Sequence, residues 1–410
     1  MWLTRSFKPF EFSKEYDSIL NFADTENQGL YVHIPFCRSI CDFCPYCKTL
    51  FDEEKAKKYV ESLLKEIDLV GAMSGKDKVR VTSVYFGGGS PAMLADDIED
   101  IIQCLEKYFI ITEGIGIELH PHDVNEKTLL KLKHAGVTKL SIGIQSFQKD
   151  YLSMLGRSGT NYDNMFRELS KVSFETVSMD FIFALPGQTM QLLAADIETA
   201  FSNGANHIAV YPFIDFTFTK RKFSKIRESE KKKLLYDMVE YCEKKGYVRD
   251  SIWTFSKDGN AKYSSMTREN FIGFGCSATT LLMDQFKINT FDIDEYIARI
   301  GSGKPATALT IKFTLRQRMA YYLFWTAYAM RVNEDRFREF FGKSLKKSYG
   351  LELGIARLFG FVKKDGSDYL MTTVGSYYYH YFENFYTLSY IDQMWNLMRK
   401  KAFPEKLIIK

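Results

Sequence analysis

The sequence predicts an α/β protein, a partial (β/α)6 TIM-like barrel followed by a mostly helical, winged-helix-like C-terminal domain. Up to about Pro212, short β-branched or apolar runs alternate with amphipathic segments, which is typical of repeated strand-helix units around a parallel sheet. After Lys245 the alternation stops, and residues 312–410 have the pattern of three helices, a hairpin and a final helix. An open doubly wound sheet is the alternative arrangement for the six units.

Each predicted strand is a short apolar run, and helical stretches such as 53–70 and 190–201 separate the strands. The C-terminal hairpin turns at Asp365 and Gly366, a pair typical of two-residue turns. The six predicted strands are 30–34, 83–86, 116–119, 139–143, 178–183 and 207–211. The predicted domains are an N-terminal extension (1–28), the barrel (29–215), an extension that closes the active site (216–311) and the C-terminal domain (312–410).

The composition is that of an ordinary globular protein. The chain has 410 residues, of which 46% are hydrophobic and 26% charged, with nine prolines, so disordered and collagen-like classes are excluded. A net charge of +4 is too small to indicate a nucleic-acid partner, and the charged segment 220–245 is expected to be a solvated helix face. The longest apolar stretch, 319–330, is too short to cross a bilayer, and the N-terminus lacks the apolar segment of a signal peptide. We therefore expect a cytoplasmic protein with no membrane partner.

Four of the seven cysteines fall close together, at Cys37, Cys41, Cys44 and Cys47. The first three form a CX3CX2C pattern directly after the first predicted strand. Three thiolates on one loop can hold three irons of a 4Fe-4S cluster and leave the fourth iron open, which favours chemistry over simple electron transfer. A structural zinc site is the alternative, with Cys44 and Cys47 as a CX2C pair, but a second such pair is missing.

Five motifs carry a family resemblance, namely YVHIPFC (31–37), FGGGSP (86–91), IELHP (117–121), LSIGIQSF (140–147) and MDFIFALPGQT (179–189). With them the chain resembles the radical SAM superfamily, and within it the oxygen-independent coproporphyrinogen III oxidase group over about residues 25–300. That group also contains a heme chaperone, anaerobilin synthases and class C radical SAM methyltransferases. The resemblance implies that an electron, from a donor such as flavodoxin or ferredoxin, cleaves S-adenosylmethionine at a 4Fe-4S cluster to give a 5′-deoxyadenosyl radical.

The resemblance also assigns roles residue by residue. Cys37, Cys41 and Cys44 would hold the cluster. The cofactor-binding positions that it implies are Tyr31, Phe43 before the last cluster cysteine, Gly87, Gly88 and Gly89 at the methionine moiety, Ser90, Glu118, Gln145, Arg157 and Asp180. The alternatives are a flexible turn for the glycines, a surface carboxylate for Glu118 and a core aromatic for Tyr31.

Two residues outside the cluster pattern are candidates for catalysis. Cys47 lies one position later than the extra cysteine of coproporphyrinogen oxidases, so we expect it not to bind the cluster, although a thiol there could act on substrate. His33 precedes the cluster loop and is either a core residue or a polar contact to cluster or substrate. His380 would be an axial contact if the substrate were heme, with aromatic packing as the alternative. The remaining cysteines, Cys104, Cys242 and Cys276, are expected to be isolated, buried and apolar.

Residues 253–280 help to distinguish between the members of this group. We expect the heme chaperone to show an HN…YW pattern at the place of residues 260–266. This chain lacks that pattern, which makes the chaperone function less favoured. In the heme-opening and methyl-transferring branches a second S-adenosylmethionine is thought to bind, and Gly273, Gly275 and Ser277 could line its pocket; an ordinary turn is the alternative.

Three hypotheses follow. The first is a radical enzyme acting on a tetrapyrrole, by heme ring opening with methylation or by coproporphyrinogen decarboxylation. The second is a class C radical SAM methyltransferase or cyclopropanase acting on another natural product. The third is a heme-binding chaperone. A nucleic-acid partner for residues 312–410 is disfavoured, because no predicted helix there has a dense basic face.

Overall fold

The computed structural model describes residues 10–14, 20–23, 25, 27–75, 77–157, 159–220, 224, 226–259 and 269–409. The strands within these residues are β1 (Phe10–Ser13), β2 (Gln28–Ile34), β3 (Phe36–Cys37), β4 (Thr49–Leu50), β5 (Val79–Val81), β6 (Val84–Gly88), β7 (Phe109–Ile111), β8 (Ile115–Leu119), β9 (Lys139–Gln145), β10 (Thr176–Phe183), β11 (His207–Pro212), β12 (Val248–Arg249), β13 (Thr254–Ser256), β14 (Asn270–Phe274), β15 (Thr279–Leu281), β16 (Gln285–Asn289), β17 (Thr307–Lys312), β18 (Arg331–Asn333), β19 (Val362–Asp365), β20 (Asp368–Met371) and β21 (Lys406–Ile409).

The helices surround this framework, and a π-helical turn lies at Thr387–Ile391. They are α1 (Glu53–Gly71), α2 (Ile98–Glu106), α3 (Glu126–His134), α4 (Lys149–Met154), α5 (Tyr162–Leu169), α6 (Met190–Ser202), α7 (Glu228–Lys244), α8 (Ile293–Gly301), α9 (Leu315–Tyr328), α10 (Glu334–Phe341), α11 (Leu345–Leu358), α12 (Thr373–Tyr386) and α13 (Asp392–Lys400). Among the described residues, no helix is both long enough and apolar enough to cross a bilayer.

Six parallel strands form the centre of the molecule, in the order β2-β6-β8-β9-β10-β11. They are the six predicted strands in sequential order, so the predicted fold class is confirmed. In β10 only Asp180 is more than slightly exposed, as expected for a strand covered on both faces. Since the strands are parallel, their carboxyl ends meet along one edge, where the motifs of the sequence analysis lie.

The sheet continues on both sides of this centre. Residues 270–274 form β14, which pairs in parallel with β2 and was not among the predicted strands. Antiparallel strands β15, β16 and β17 follow on that side, while β12 and β13 lie beside β11. The sheet therefore continues past residues 215–216, where we predicted that the barrel domain ends. The predicted domain boundaries stay a prediction.

The C-terminal part has the predicted helical and hairpin elements, and three short strands form a small sheet in the order β18-β20-β19. Its own core contains Tyr322, Phe337 and Tyr349. Arg336 binds Glu269 through two hydrogen bonds of 2.9 and 2.7 Å and so connects α10 to the segment before β14. This part is therefore packed against the barrel.

Candidate cluster and cofactor site

The CX3CX2C loop begins at the end of β3 and leaves all three cysteines without disulfide partners. Cys41 is buried, whereas Cys37 and Cys44 are partly exposed. Burial raises the pKa of Cys37 to about 12, and the neighbouring Cys44 and Cys41 add to the shift. A thiol cluster of this kind is stabilised as thiolate only by added positive charge, which is what an iron-sulfur centre supplies. The donor set therefore fits the cluster.

The glycines after β6 leave no space for side chains. A Cβ atom on Gly89 would lie 2.5 Å from the Phe36 carbonyl oxygen and 2.9 Å from the Cys37 sulfur. Gly88 has a φ of +123°, which L side chains rarely adopt, and a Cβ there would meet the His33 ring. The glycines thus let the cluster loop approach the end of β6 closely, and the alternative of a merely flexible turn does not describe them.

Glu118, at the end of β8, is held beside this glycine turn. Its carboxylate accepts a hydrogen bond from the Tyr85 hydroxyl at 2.9 Å and from the Gly88 backbone N–H at 3.1 Å. Burial raises the pKa of Glu118. A Cβ on Gly87 would touch both the Tyr31 ring and the Glu118 carboxylate, so these residues share one place in the fold. Glu118 is therefore a partly buried, hydrogen-bonded carboxylate, and its role in binding the cofactor stays a prediction.

Arg157 connects the next strand to the cysteine loop. Its Nε lies 3.3 Å from the Cys41 sulfur, its Nη1 donates to the Gly143 carbonyl, and its guanidinium lies over the Phe43 ring at 5.5 Å. Gln145 ends β9 with a φ of +72°, an unusual conformation for a non-glycine residue. The predicted residues Phe43, Gln145 and Arg157 are thus brought to the same edge as Cys41.

Asp180 is the charged residue of β10. Its two carboxylate oxygens accept hydrogen bonds from Ser141 at 2.6 Å and Ser178 at 3.1 Å. Burial raises the pKa of Asp180 to about 7, the hydrogen bond from Ser141 opposes this shift, and the charge of Glu118 adds to it. Asp180 and Glu118 therefore act on each other electrostatically across the strand ends.

Ser90 is already committed to hydrogen bonds within the protein. Its buried hydroxyl donates to Asp123 at 2.6 Å and accepts from the His120 backbone N–H at 3.1 Å. Arg38 in the cysteine loop forms an ion pair with the other Asp123 oxygen at 3.2 Å. Asp123 was missed by sequence reasoning, although an acidic residue two positions after the IELHP motif was a signal.

Tyr46 was also missed by the sequence analysis, and its position between Cys44 and Cys47 was the available signal. Its ring is 54% exposed and lies 5.8 Å from that of Trp395 in α13. Burial of its hydroxyl, followed by the charge of Glu118, raises the pKa of Tyr46. The Tyr46 side chain therefore extends from the cluster loop to α13.

Cys47 and His33 lie together, and Cys276 lies with them. Cys276 is buried as predicted, but the expectation that it is isolated is wrong. The Cys47 sulfur lies 3.2 Å from the Phe291 carbonyl, and His33 Nε2 lies 3.0 Å from the Cys47 carbonyl. His33 is buried, as expected if it is a core residue. The catalytic roles of His33 and Cys47 stay predictions.

Close backbone packing occupies the place where we expected a second cofactor pocket. A Cβ on Gly273 would lie 2.3 Å from the Thr279 carbonyl oxygen, and one on Gly275 would lie 2.5 Å from the Tyr59 hydroxyl. Ser277 has a φ of +56°, and its backbone N–H donates to the Thr290 carbonyl at 2.7 Å. These contacts explain the turn without a ligand, and a second S-adenosylmethionine there stays a prediction.

The same turn is held by Glu66 of α1, a buried carboxylate that sequence patterns did not single out. It accepts hydrogen bonds from the Gly275 backbone N–H at 2.6 Å, the Asn289 amide at 2.8 Å and the Tyr296 hydroxyl at 2.7 Å. Burial raises the pKa of Glu66 to about 7 although all three hydrogen bonds oppose the shift.

His380 is buried, with its ring 4.8 Å from that of Trp253 in an edge-on arrangement and Nδ1 3.8 Å from Glu383. Aromatic packing therefore describes its surroundings, and an axial contact to heme would need a rearrangement. The segment 260–266, on which the chaperone interpretation was lowered, lies outside the described residues.

The chain is similar to known proteins in both sequence and fold. Residues 31–200 match the Radical SAM superfamily. Heme chaperone HemW of Bacillus subtilis (strain 168) is 29% identical over 338 residues, which cover 78% of this chain and 88% of that protein. Oxygen-independent coproporphyrinogen III oxidase of Pseudomonas aeruginosa is 22% identical over 327 residues, which cover 71% of this chain and 70% of that protein.

Among solved structures, coproporphyrinogen III oxidase (HemN) from Escherichia coli aligns with a TM-score of 0.76 at 20% identity, covering 92% of this chain and 96% of that chain. This similarity shows a shared fold over nearly the whole length, including the C-terminal part. Given the cysteine loop and the matched residues, residues 31–200 form a radical SAM domain, and that superfamily uses a 4Fe-4S cluster with S-adenosylmethionine. Over most of its length the chain is similar to HemW in sequence and to HemN in fold.

Proposed function

We propose that this protein is a radical SAM enzyme that cleaves S-adenosylmethionine reductively and acts on a tetrapyrrole. One observation carries the proposal. Polar side chains in the C-terminal halves of three neighbouring parallel strands, Glu118, Gln145 and Asp180, lie toward the edge where the three-cysteine loop begins.

In this proposal Cys37, Cys41 and Cys44 hold the cluster, and Arg157 next to Cys41 places positive charge beside a thiolate. When bound, the cluster supplies the electron that splits the sulfonium of S-adenosylmethionine. The backbone at the end of β6, which carries no side chains at residues 87–89, binds the methionine end of that molecule.

Glu118 and Asp180 bind the polar groups of the adenosyl end. Their carboxylates are oriented by hydroxyl donors from Tyr85, Ser141 and Ser178, so they are rigid before a ligand arrives. Because Asp180 has a pKa of about 7, it can donate or accept a hydrogen bond near neutral pH.

A group of aromatic side chains beside the cluster loop is where we expect a flat anionic ring to bind, with Tyr46 as its exposed member on the buried Phe216 and Phe291. Trp395 stacks on Phe216 at 5.7 Å and lies 6.2 Å from Phe291, next to the exposed Tyr46. Arg399 lies over the Phe291 ring at 5.7 Å and supplies a cation. Aromatic faces with an adjacent guanidinium are a favourable environment for a porphyrin ring and its propionates. The names of the relatives, which refer to heme and to coproporphyrinogen, support this substrate class.

The test is an anaerobic assay of the full chain with reconstituted cluster, S-adenosylmethionine, dithionite and either heme or coproporphyrinogen III. We expect 5′-deoxyadenosine together with a new tetrapyrrole, and loss of both in C37A. The matched control is C242A, which removes another free cysteine far along the sequence, in α7. S-adenosylhomocysteine without tetrapyrrole change would instead support a methyltransferase acting on another substrate.

A heme chaperone is the second candidate, and the similarity to HemW over 78% of the chain favours it. The chaperone and the enzyme differ in turnover. A chaperone would bind heme with a defined stoichiometry and leave it unchanged in the same assay. Heme recovered intact, with no tetrapyrrole product from either substrate, would therefore support the chaperone and contradict the enzyme.

A further inference from the structure

A second group of metal-ligating side chains lies next to the proposed cofactor site. We propose that His33, Cys47 and Cys276 form a binding site for a thiophilic metal ion, zinc(II), separate from the iron-sulfur cluster. Among the described residues, these three offer ligand atoms that all lie within 4.8 Å of one another. In tetrahedral zinc sites, bonds of about 2.0–2.3 Å place ligand atoms about 3.3–3.8 Å apart, so the three ligand atoms would have to approach one another by up to about 1.0–1.5 Å when the ion binds.

The donor set selects the metal. Two thiols and an imidazole are soft or borderline ligands, and the group contains no carboxylate. Such a set is typical of zinc and unsuited to magnesium or calcium, which prefer oxygen. Zinc(II) with two thiolates also has no net charge, which suits side chains that are 3%, 6% and 0% exposed for His33, Cys47 and Cys276.

Metal binding through Nε2 would replace an existing hydrogen bond of His33. Its Nε2 lies 3.0 Å from the Cys47 carbonyl, which can only accept, so Nε2 carries the proton when no metal is bound. Its Nδ1 lies 3.0 Å from the Tyr31 hydroxyl, which can either donate or accept. Metal binding at Nε2 would move the ring proton to Nδ1, and Tyr31 would then accept it as the outer partner of a metal-bound histidine.

The environments of the two thiols differ before a metal binds. Hydrogen bonds from Cys276 and His33 lower the pKa of Cys47, whereas burial raises that of Cys276. In the metal-free state Cys47 donates to the Phe291 carbonyl at 3.2 Å. Zinc binding would release one proton from each thiol as the two sulfur-zinc bonds form. The Tyr59 hydroxyl lies 3.7 Å from the Cys276 sulfur but is already bound to the His33 carbonyl and the Cys276 backbone N–H, so a water molecule is the expected fourth ligand.

The site would join three distant parts of the chain. His33 lies in β2, Cys47 follows the cluster cysteines, and Cys276 follows β14. The parallel pairing of β14 with β2 brings Cys276 beside His33 although they are far apart in sequence. A bound ion would therefore fix the end of the cluster loop to the sheet, which is a structural role.

The first measurement is the metal content of the full chain, purified without air and with its cluster reconstituted. We expect about one zinc beside about four irons per chain. C276A should lose the zinc and keep the iron, and C242A should keep both metals. C276S provides the same test with a side chain of similar size if the alanine variant does not fold.

The second measurement removes the ambiguity of zinc bound to the cluster cysteines. In a full-length variant with alanine at all three cluster positions, cobalt(II) should give the charge-transfer and d–d bands of a tetrahedral thiolate site, and zinc should displace it. The bands should disappear when C47A or C276S is added. Because no cluster can form in this variant, the result does not depend on the proposed function. Absence of the bands, their persistence in C276S, or a Cys47–Cys276 disulfide in protein purified without air would overturn the zinc site.

Discussion

Replacing Gly89 with alanine tests whether the glycine turn is needed to hold the cluster loop in place. The added Cβ would lie 2.5 Å from the Phe36 carbonyl oxygen and 2.9 Å from the Cys37 sulfur. The first distance is about 0.9 Å shorter than an ordinary contact of 3.4 Å, and the obstacle is backbone, which cannot rotate away. The strand that carries Cys37 must therefore move.

The expected size of the effect follows from this displacement. Overpacking of this kind costs about 1–3 kcal/mol of stability, and a site held to about 0.5 Å does not tolerate a shift of nearly twice that amount. We expect G89A to fold with a lowered melting temperature and to retain less than half of the iron of the wild-type protein after reconstitution.

The assay is iron and sulfide content after anaerobic reconstitution, with absorbance near 400 nm as a second readout of the cluster. The control is G354A in α11, where an added Cβ meets nothing within 4 Å. This variant should keep the full iron content and gain up to about 1 kcal/mol of stability, because alanine favours a helix over glycine. Wild-type iron content and melting temperature in G89A would refute the reasoning.

Three further changes test other contacts of the site and the fold. R157K keeps the charge but loses the guanidinium geometry beside Cys41, so we expect about a 10- to 100-fold slower release of 5′-deoxyadenosine at unchanged iron content; an unchanged rate would argue against Arg157. E66Q should lower the free energy of unfolding by about 1–3 kcal/mol at pH 5, because an amide N–H₂ would face a donor. The pKa of Glu66 is raised to about 7, so its protonation stabilises the wild-type fold below about pH 4.5, and this contribution is lost as the pH rises through 7. The difference in the free energy of unfolding between wild type and E66Q, measured in urea, should therefore shrink by up to about 3 kcal/mol by pH 8. A difference that stays constant with pH would contradict this. D392A removes the carboxylate that accepts hydrogen bonds from the Thr217 backbone N–H at 2.7 Å and from the Thr217 hydroxyl. The free energy of unfolding in urea should therefore fall by about 2 kcal/mol, and D392N should recover part of this loss. Equal stability of wild type, D392A and D392N would show that this contact does not hold α13.

The sequence predicted what short segments determine. The six central strands follow from local alternation of apolar and amphipathic runs, and the order of parallel strands follows from short connections between neighbours. By contrast, the pairing of residues 270–274 with β2 joins segments more than 200 residues apart, and nothing in either segment indicates its partner. The same reason explains why the antiparallel pairing of β1 with β21 was not foreseen.

The candidate site also contains residues that the sequence predicts and residues that it does not. Glu118, Asp180 and the cluster cysteines lie in motifs that sequence reasoning recognised, and the parallel sheet brings their strand ends together. The neighbours of Cys47 could not be predicted, because Cys276 is a single cysteine in an unrelated segment. Conversely, Gly273 and Gly275 were read as ligand-binding positions, while their contacts with Thr279 and Tyr59 give both glycines a packing reason.

The Glu66 carboxylate has a consequence for protein engineering. It joins α1 to Gly275, Asn289 and Tyr296, so four segments depend on one acidic group. A chimera that took residues 53–71 from one relative and residues 270–296 from another could place a neutral or shorter side chain opposite three donors. Exchanges of the C-terminal half between relatives should therefore carry α1 with them, or the hybrid will be unstable before its specificity can be assayed.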